Sequence, residues 1–372
     1  MASIINSDDG VISGTAGLKS TGANDGALNI QTNGTNAITV SSAQTVAING
    51  NNISADNSLG FRNRIINGAM VIDQRNAGAS ATLSNTGYSL DRWQTYLSPS
   101  GKYTVQRNAG SVTPPVGFTN YLGVTSTSAY SVSGGDYQAI VQPIEGYNVA
   151  DLGFGTANAK TVTVSFWVRS SLTGTFGGAL ANNGASRSYA YTYTISAANT
   201  WEQKSVTIAG DTAGTWNSTN GPGIVLLFGL GVGTTYSGTA GSWASANYMT
   251  ATGATSVVGT NGATFYITGV QLEVGSVATP FERRPFGTEL SLCQRYFTKL
   301  DGGGASLQGF IPSGISERQF YVYYKQSMRT APTMTLTMSS GSISTQFIGT
   351  DQAKLVSNSD FSISNWTATA EL

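Results

Sequence analysis

Thr161-Val-Thr-Val-Ser-Phe-Trp-Val-Arg169 is the stretch that decides the fold of this chain. Val162, Val164, Phe166 and Val168 recur at every second position, the period of a β-strand that buries one face. Similar runs, broken by Gly, Asn and Ser clusters, cover residues 188–195, 202–208, 223–230 and 264–274. Many short strands with turn signals between them, and no alternating helices, predict a jelly-roll β-sandwich over residues 61–286.

The composition of the 372-residue chain also favours strands. Only 10% of its residues are charged, against about 25% in an ordinary soluble domain. Gly accounts for 46 residues, and Thr, Val, Ser and Tyr are strand and turn formers rather than helix formers. The fold class predicted from composition is all-β.

The residue counts exclude several classes of function. Nineteen basic residues balance nineteen acidic residues, so there is no polybasic field for nucleic acid or anionic lipid. The chain has no His and a single Cys, Cys293, which excludes His-based triads, imidazole metal ligands and an intrachain disulfide. Cys293 lies in an apolar run, and we expect it to be a small buried hydrophobe.

No targeting or membrane-spanning segment is recognisable in the sequence. No window approaches about 18 uninterrupted apolar residues, and the first ten residues lack a basic region followed by an apolar one. We therefore expect no membrane insertion, and synthesis in a cytoplasm.

Residues 1–60 form a region of different character, because they contain no Phe, Tyr or Trp. Short period-two runs occur at 37–40 and 46–48, and the turn-forming dipeptides Asn33-Gly34 and Asn49-Gly50 lie beside them. Strands without aromatic residues to pack on can gain burial by winding together with identical copies. We interpret 1–60 as a trimerising β segment; a disordered tail is the alternative.

One short helix is predicted between two β regions. Thr288 can cap a helix over residues 288–297, in which Leu290, Cys293 and Phe297 fall on one face. This places a helical connector at 287–300. Strand-like runs at 319–326 and 333–338 then predict a small C-terminal β domain over 301–372.

Several sequence blocks resemble those of bacteriophage tail-fibre and related virion appendage proteins. The blocks are Asn63-Arg-Ile-Ile-Asn-Gly-Ala-Met-Val-Ile-Asp-Gln-Arg75, Tyr88-Ser-Leu-Asp-Arg-Trp93, Val270-Gln-Leu-Glu-Val-Gly275, Ala278-Thr-Pro-Phe-Glu282, Leu292-Cys-Gln-Arg-Tyr-Phe297, Met328-Arg-Thr-Ala-Pro-Thr333 and Asn365-Trp-Thr-Ala-Thr-Ala-Glu-Leu372. Together they bracket most of the chain. The resemblance implies a jelly roll akin to carbohydrate-binding modules, assembled as a homotrimer on a virion.

This resemblance implies a specific location and set of partners. We expect a virion protein, assembled in the host cytoplasm and released by lysis. Its N-terminal segment is expected to join other virion proteins, and its jelly roll to bind a host cell-surface glycan without catalysis. Two alternatives remain open: a structural head-decoration, head-fibre or baseplate protein, and a polysaccharide depolymerase.

Loop tryptophans are the candidate glycan-binding residues. Trp216 and Trp243 lie in loops of small polar residues that have little apolar surface to cover an indole, and Tyr248 ends the second loop. Exposed aromatic rings in such loops can present flat apolar faces to a sugar. The alternative is that the rings anchor their loops to the sandwich.

Three other tryptophans are expected to be core residues. Trp93 closes the Asp-Arg-Trp part of a shared block, Trp167 lies in an apolar strand, and Trp366 lies in the last strand-like region. Large aromatic side chains in such surroundings usually contribute buried area rather than ligand contacts.

Catalytic and metal sites have little support in the sequence. Glycoside hydrolysis needs two carboxylates roughly 5–9.5 Å apart, and no Asp or Glu pair stands out. We predict no catalytic residues and no cofactor. Jelly rolls that resemble this one often hold a structural calcium ion, for which Asp73, Asp91 and Asp136 are the candidate ligands.

The first prediction concerns assembly. Sedimentation should show three chains per particle, because strands in residues 1–60 need burial that one chain does not supply. Deleting residues 1–60 should weaken the assembly. A stable monomer with an ordered N-terminal segment would contradict the argument.

Overall fold

The computed structural model describes residues 17–20, 28–32, 35–40, 46–48, 51–53, 61–300, 307–314 and 317–372. The regular secondary structure of these residues is nearly all β-strand, which confirms the predicted fold class. The part of the chain described here has no helix that is long and apolar enough to span a bilayer.

The elements fall into three consecutive groups along the chain. The N-terminal group is β1 (Gly17–Ser20), β2 (Leu28–Thr32), β3 (Thr35–Val40), β4 (Val46–Ile48) and β5 (Asn51–Ile53). The central group is β6 (Tyr88–Leu90), β7 (Trp93–Ser98), β8 (Tyr103–Arg107), β9 (Leu122–Ser126), β10 (Tyr137–Glu145), β11 (Val162–Ser170), β12 (Gly174–Ala181), β13 (Ser188–Ile195), β14 (Glu202–Ile208), β15 (Pro222–Val232), β16 (Ser237–Gly238), β17 (Trp243–Ala244), β18 (Thr250–Ala251) and β19 (Thr264–Val274). The last group is helix α1 (Phe286–Gln294), then β20 (Phe297–Lys299), β21 (Leu307–Gly309), β22 (Arg318–Tyr323), β23 (Thr333–Ser340), β24 (Ser344–Ile348), β25 (Gln352–Ser357) and β26 (Phe361–Thr369). Three short 3₁₀ turns cover Ala109–Ser111, Gly146–Asn148 and Ala150–Leu152.

The N-terminal strands form an antiparallel meander in the order β1-β2-β3-β4-β5. Thr32 pairs with Thr35, and Ile48 pairs with Asn51. Strands are therefore present at both of the period-two runs, while the two Asn-Gly dipeptides, 33–34 and 49–50, lie outside the described residues. Trimerisation through this segment stays a prediction.

The central region is a sandwich of two sheets. One has seven strands in the order β17-β13-β12-β15-β10-β7-β6, and the other has five in the order β14-β11-β19-β9-β8. Val162, Val164, Phe166 and Val168 of β11 are fully buried between them, as their alternation predicts. The Phe166 ring lies 5.0 Å from the ring of Phe228 on the opposite sheet. The core of the sandwich is therefore built from the inward faces of both sheets.

Trp167 lies on the opposite face of β11 from Phe166, and the expectation that it is a core residue is wrong. Its side chain is half-buried, and a Cβ added to Gly269 would lie 3.2 Å from its ring. Side chains alternate across a strand, so the register that buries Phe166 turns Trp167 outward. Trp93, by contrast, is fully buried, as predicted.

The helix differs from the predicted one at both ends. It begins at Phe286 after Pro285 and ends at Gln294, and Thr288 lies inside it rather than at its cap. Pro285 is the N-cap residue, and the helix has no side-chain cap hydrogen bond. Phe297 leaves the helix because it begins β20, which pairs with β26.

Cys293 lies in this helix and is fully buried. Burial raises the pKa of its thiol well above the usual value. A neutral, buried thiol is what the sequence predicts for a cysteine that serves as a small hydrophobe.

The last part of the chain forms a small β domain with its own core. One sheet has the order β20-β26-β21, with β23 also paired to β26, and the other has the order β22-β25-β24. Their inward side chains include Val322, Leu355, Ile363 and Trp366. Trp366 is 6% exposed, as expected of a core residue, and it packs against the ring of Tyr324.

A buried ion pair joins this domain to the sandwich. Arg92, which directly precedes β7, pairs with Glu371; their side chains are 1% and 7% exposed. Arg92 also donates to the carbonyl of Pro143 at 2.6 Å and lies 3.7 Å over the ring of Tyr296. Arg75 approaches the other carboxylate oxygen of Glu371 at 2.6 Å. Burial opposes the charge on Arg92, but neighbouring groups, Glu371 foremost, together outweigh burial and raise the pKa of Arg92.

The second prediction tests this junction. Glu371→Ala should reduce the free energy of unfolding by about 3–5 kcal/mol, because Arg92 is left buried without its counter-ion. Urea denaturation of the full chain measures this. Asp151→Ala is the matched control. The carboxylate of Asp151 is half-exposed and pairs with Arg64 at the surface, and such surface pairs contribute about 0–1 kcal/mol to stability. Equal losses in the two variants would contradict the structural role of Glu371.

Candidate functional site

The two predicted loop tryptophans meet at the surface of the sandwich. Trp216 and Trp243 have ring centroids 5.4 Å apart and lie edge to face at 86°. Phe154 contacts both, at 4.9 Å and 5.8 Å, and Tyr189 lies 5.4 Å from Trp243. We call these four residues the loop-tryptophan cluster. All four residues are half-buried.

Backbone pairing and turn geometry position the two indoles. Trp243 is in β17, directly opposite Tyr189 of β13, and its indole N–H donates to the carbonyl of Ala209 at 2.7 Å. The indole N–H of Trp216 donates to the carbonyl of Ala213 at 3.0 Å. Both polar atoms are thus satisfied by backbone, and the carbon edges and faces are what remain for a ligand.

Gly155 allows the loop that carries Trp216 to come close. A Cβ at this position would lie 2.7 Å from the carbonyl oxygen of Gly214 and 3.1 Å from the Trp216 ring. Its φ of 84° is also in the left-handed region that favours glycine. A small cavity of about 30 Å³ beside Trp216 is lined by residues that include Phe154 and Ile224.

A fixed guanidinium lies next to the cluster. Arg187 makes two hydrogen bonds to Asp211, Nε to Oδ2 at 2.7 Å and Nη2 to Oδ1 at 2.6 Å. Its Nη1 donates to the hydroxyl of Ser245 at 2.9 Å. The Asp211 hydrogen bond raises the pKa of Arg187, so this group is a permanent cation. Many small-molecule binding sites combine aromatic side chains with a few hydrogen-bonding groups in this way.

Tyr248 lies beside β13, the strand that carries Tyr189, but its ring is not part of the loop-tryptophan cluster. Its backbone N–H donates to the hydroxyl of Ser188 at 3.0 Å, one residue before Tyr189. Its ring packs on Gly238, where an added Cβ would come within 2.2 Å of the ring. Tyr248 therefore supports the loop from Ser237 onward at the margin of the cluster.

Both tryptophans pack against the sandwich, which is the alternative to ligand contact that the sequence left open. Their loops do have few apolar residues, but the two rings cover each other and also contact Phe154 and Tyr189. Trp216 and Trp243 both pack against the main core of the sandwich. A packing role and partial solvent exposure therefore coexist in the same residues.

A second aromatic surface, which is not among the features predicted from the sequence, lies on the outer face of β11 and β19. A Cβ added to Gly269 would lie 2.6 Å from the ring of Phe118 and 3.2 Å from that of Trp167. Phe118 lies 5.2 Å from Phe281, and Arg283 lies 4.7 Å over the ring of Phe118. The half-buried rings of Trp167, Phe118 and Phe281 thus form an aromatic surface with a cation above it. The period-two pattern of β11 could have indicated this surface from the sequence, because it assigns Trp167 to the outer face.

The three candidate calcium ligands do not fit a common site. Asp73 accepts hydrogen bonds from two backbone N–H groups of its own turn. Asp91 accepts two from Gln74, and burial raises its pKa. Asp136 accepts from Tyr130, which lowers the pKa of Asp136. Within the described ranges there is no cluster of three or more metal-ligating side chains, and each carboxylate instead holds local structure.

Two carboxylates of the sandwich, Glu145 and Glu273, are engaged in structural contacts. Glu145 accepts hydrogen bonds from Arg295 and from the Tyr296 hydroxyl, the latter at 2.5 Å. Burial alone would raise the pKa of Glu145, but these hydrogen bonds outweigh it and lower the pKa. Glu273 is fully buried and accepts from the N–H and hydroxyl of Thr279.

No family model matches the sequence, and no curated protein matches it. Among solved structures, the enzymatically active domain of tailspike protein 4 of bacteriophage CBA120 is 12% identical with a TM-score of 0.29, and the match covers 57% of this chain and 22% of that chain.

Two carbohydrate-binding modules are similar at the same level. The family 11 module from Clostridium thermocellum, in complex with a β-1,3-1,4-mixed-linked tetrasaccharide, is 14% identical with a TM-score of 0.28, covering 55% of this chain and 100% of that chain. A CBM61 module in complex with β-1,4-galactotriose is 9% identical with a TM-score of 0.29, covering 58% of this chain and 100% of that chain. At these scores, the assignment of a β-sandwich rests on the sheets of this chain itself.

Proposed function

We propose that this chain is a subunit of a bacteriophage tail fibre or related virion appendage that binds a host cell-surface glycan and does not cleave it. The observation that carries the proposal is the meeting of two half-buried tryptophans, Trp216 from the loop before β15 and Trp243 from β17, with ring centroids 5.4 Å apart. The sequence resemblance supports the virion location, and the sandwich provides the rigid support for the loops.

The chemistry of the loop-tryptophan cluster suits a sugar. The C–H groups on one face of a pyranose carry partial positive charge and are attracted to the negative face of an aromatic ring. The hydroxyl groups of the sugar need hydrogen-bond partners, which Arg187 and Ser245 offer beside the rings. Because the indole N–H groups already donate to backbone carbonyls, the rings are held in position before a ligand arrives, which reduces the entropy lost on binding.

Assembly of several chains increases the overall affinity for a surface that carries many copies of the glycan. Single lectin-like sites bind weakly, but linked sites make the second contact intramolecular, and avidity then exceeds single-site affinity by about 10²–10⁴-fold. Trimerisation and attachment to other virion proteins through residues 1–60 are therefore part of this proposal.

The third prediction concerns adhesion. Trp216→Ala and Trp243→Ala should each weaken binding to host cells by roughly 5- to 150-fold, the equivalent of about 1–3 kcal/mol per lost ring. Both should cost less stability than the about 3–5 kcal/mol expected for the buried Trp93→Ala. Cell binding and thermal melting of purified variants measure the two effects.

Trp167→Ala is the matched control for that experiment, because Trp167 is also half-buried but lies on the outer face of β11. It should bind like the parent. If Trp167→Ala loses binding while both loop variants adsorb normally, the glycan site lies on the outer sheet face instead. If all three variants adsorb normally, the head-decoration or baseplate role gains support.

The fourth prediction is that the protein does not cleave glycan. Incubation with host surface polysaccharide should release no reducing ends, because Glu145 and Glu273 are committed to structural hydrogen bonds. Cleavage that disappears on changing a single Asp or Glu would overturn the non-catalytic interpretation and favour the depolymerase.

A further inference from the structure

The outer face of the sheet β22-β25-β24 carries exposed aromatic side chains in the C-terminal domain. On β22, Val322 is 5% exposed and points to the core, whereas Tyr321 and Tyr323 are 46% and 69% exposed. Tyr321 is opposite Lys354 of β25, and Lys354 is opposite Phe347 of β24, which is 57% exposed. Residues that are directly opposite share a face of the sheet.

This surface, which we call the C-terminal sheet face, has a defined membership. It consists of Gln319, Tyr321, Tyr323, Phe347, Gln352 and Lys354. The rings of Tyr321 and Tyr323 have centroids 6.3 Å apart and planes within 26° of parallel. Two open, nearly parallel rings flanked by long polar side chains are a platform with both stacking and hydrogen-bonding capacity.

A polar groove continues from one end of this face. It has a volume of about 350 Å³, and its lining includes Glu317, Ser342, Ser344, Val356, Ser357 and Asn358. Val356 connects the groove to the face, because it pairs with Gln319 on one side and with Ser344 on the other. The groove is within the range of about 300–1,000 Å³ that is usual for small-molecule sites.

The size and polarity of the face favour a small ligand over a second protein chain. Three strands spaced by about 4.8 Å and about six residues long, at about 3.3 Å per residue, give an area of roughly 300 Å². A stable protein interface buries about 800 Å² on each partner. Polar side chains, those of Gln319, Gln352 and Lys354, lie between the aromatic ones on this face. Interfaces of obligate protein complexes are more apolar than such a mixed surface.

We propose that the C-terminal sheet face and its groove form a second glycan-binding site, specific for an uncharged oligosaccharide. One sugar unit would stack on Tyr321 and Tyr323, and the next units would place hydroxyl groups against Glu317, Asn358 and the serines of the groove. Lys354 and Glu317 carry opposite charges, so together they do not select an ionic ligand. The proposal goes beyond the loop-tryptophan cluster and does not depend on it.

The experiment separates the two sites within the full-length chain. Titration calorimetry would use tetrasaccharides of glucose, galactose, mannose and N-acetylglucosamine with a Trp216→Ala/Trp243→Ala protein. We expect at least one of them to bind, and the further changes Tyr321→Ala and Tyr323→Ala to weaken that binding at least tenfold. Tyr147→Ala, at a tyrosine that is 62% exposed on the sandwich, is the matched control and should leave binding unchanged.

Any one of three binding results would overturn the proposal. They are the absence of binding by every tetrasaccharide, binding that is unaffected by the changes at Tyr321 and Tyr323, and equal weakening by Tyr147→Ala. Sedimentation of the Tyr321→Ala/Tyr323→Ala protein tests whether the face is instead a contact between chains. A smaller assembly than that of the parent would identify the face as a contact between copies of this chain, which also overturns the proposal.

Discussion

The buried pair of Arg92 and Glu371 is the interaction on which the relation between the sandwich and the C-terminal domain depends. Both side chains are more than nine-tenths buried, and removing either charge leaves the other in a low-dielectric environment at a cost of several kcal/mol. Arg92 also contacts Pro143 and Tyr296. One guanidinium therefore contacts the sandwich, the segment after the helix and the C-terminal domain.

A second set of contacts reinforces the same junction. Arg295 and Tyr296, which follow α1, both hydrogen-bond to Glu145 at the end of β10. Arg329 of the C-terminal domain donates to the carbonyl of Asn220, in the loop that also carries Trp216. The two proposed binding surfaces are thus carried on regions that are tied together by charge-assisted hydrogen bonds, which are stronger than neutral ones.

Much of the fold is predictable because strand burial leaves a period of two in the sequence. Strands β13, β14 and β19 have the predicted bounds, and the inward residues of β11 are those that alternation assigns. The helix is less predictable, because its end is decided by the pairing of β20 with the distant strand β26. The apolar surroundings of Trp167 favour a core position, although the same alternation places it on the outer face.

The sequence by itself determined the all-β class, the bounds of strands such as β13, β14 and β19, and the polar stretches that carry Trp216 and Trp243. These features depend on local periodicity and composition. Only the tertiary structure decided that the two indoles meet, that Tyr321 shares one sheet face with Lys354, and that Glu371 reaches Arg92 in the sandwich. Those contacts join residues that are distant along the chain. No local pattern encodes such pairings, because they arise from the register of the strands and the burial of charge in the folded molecule.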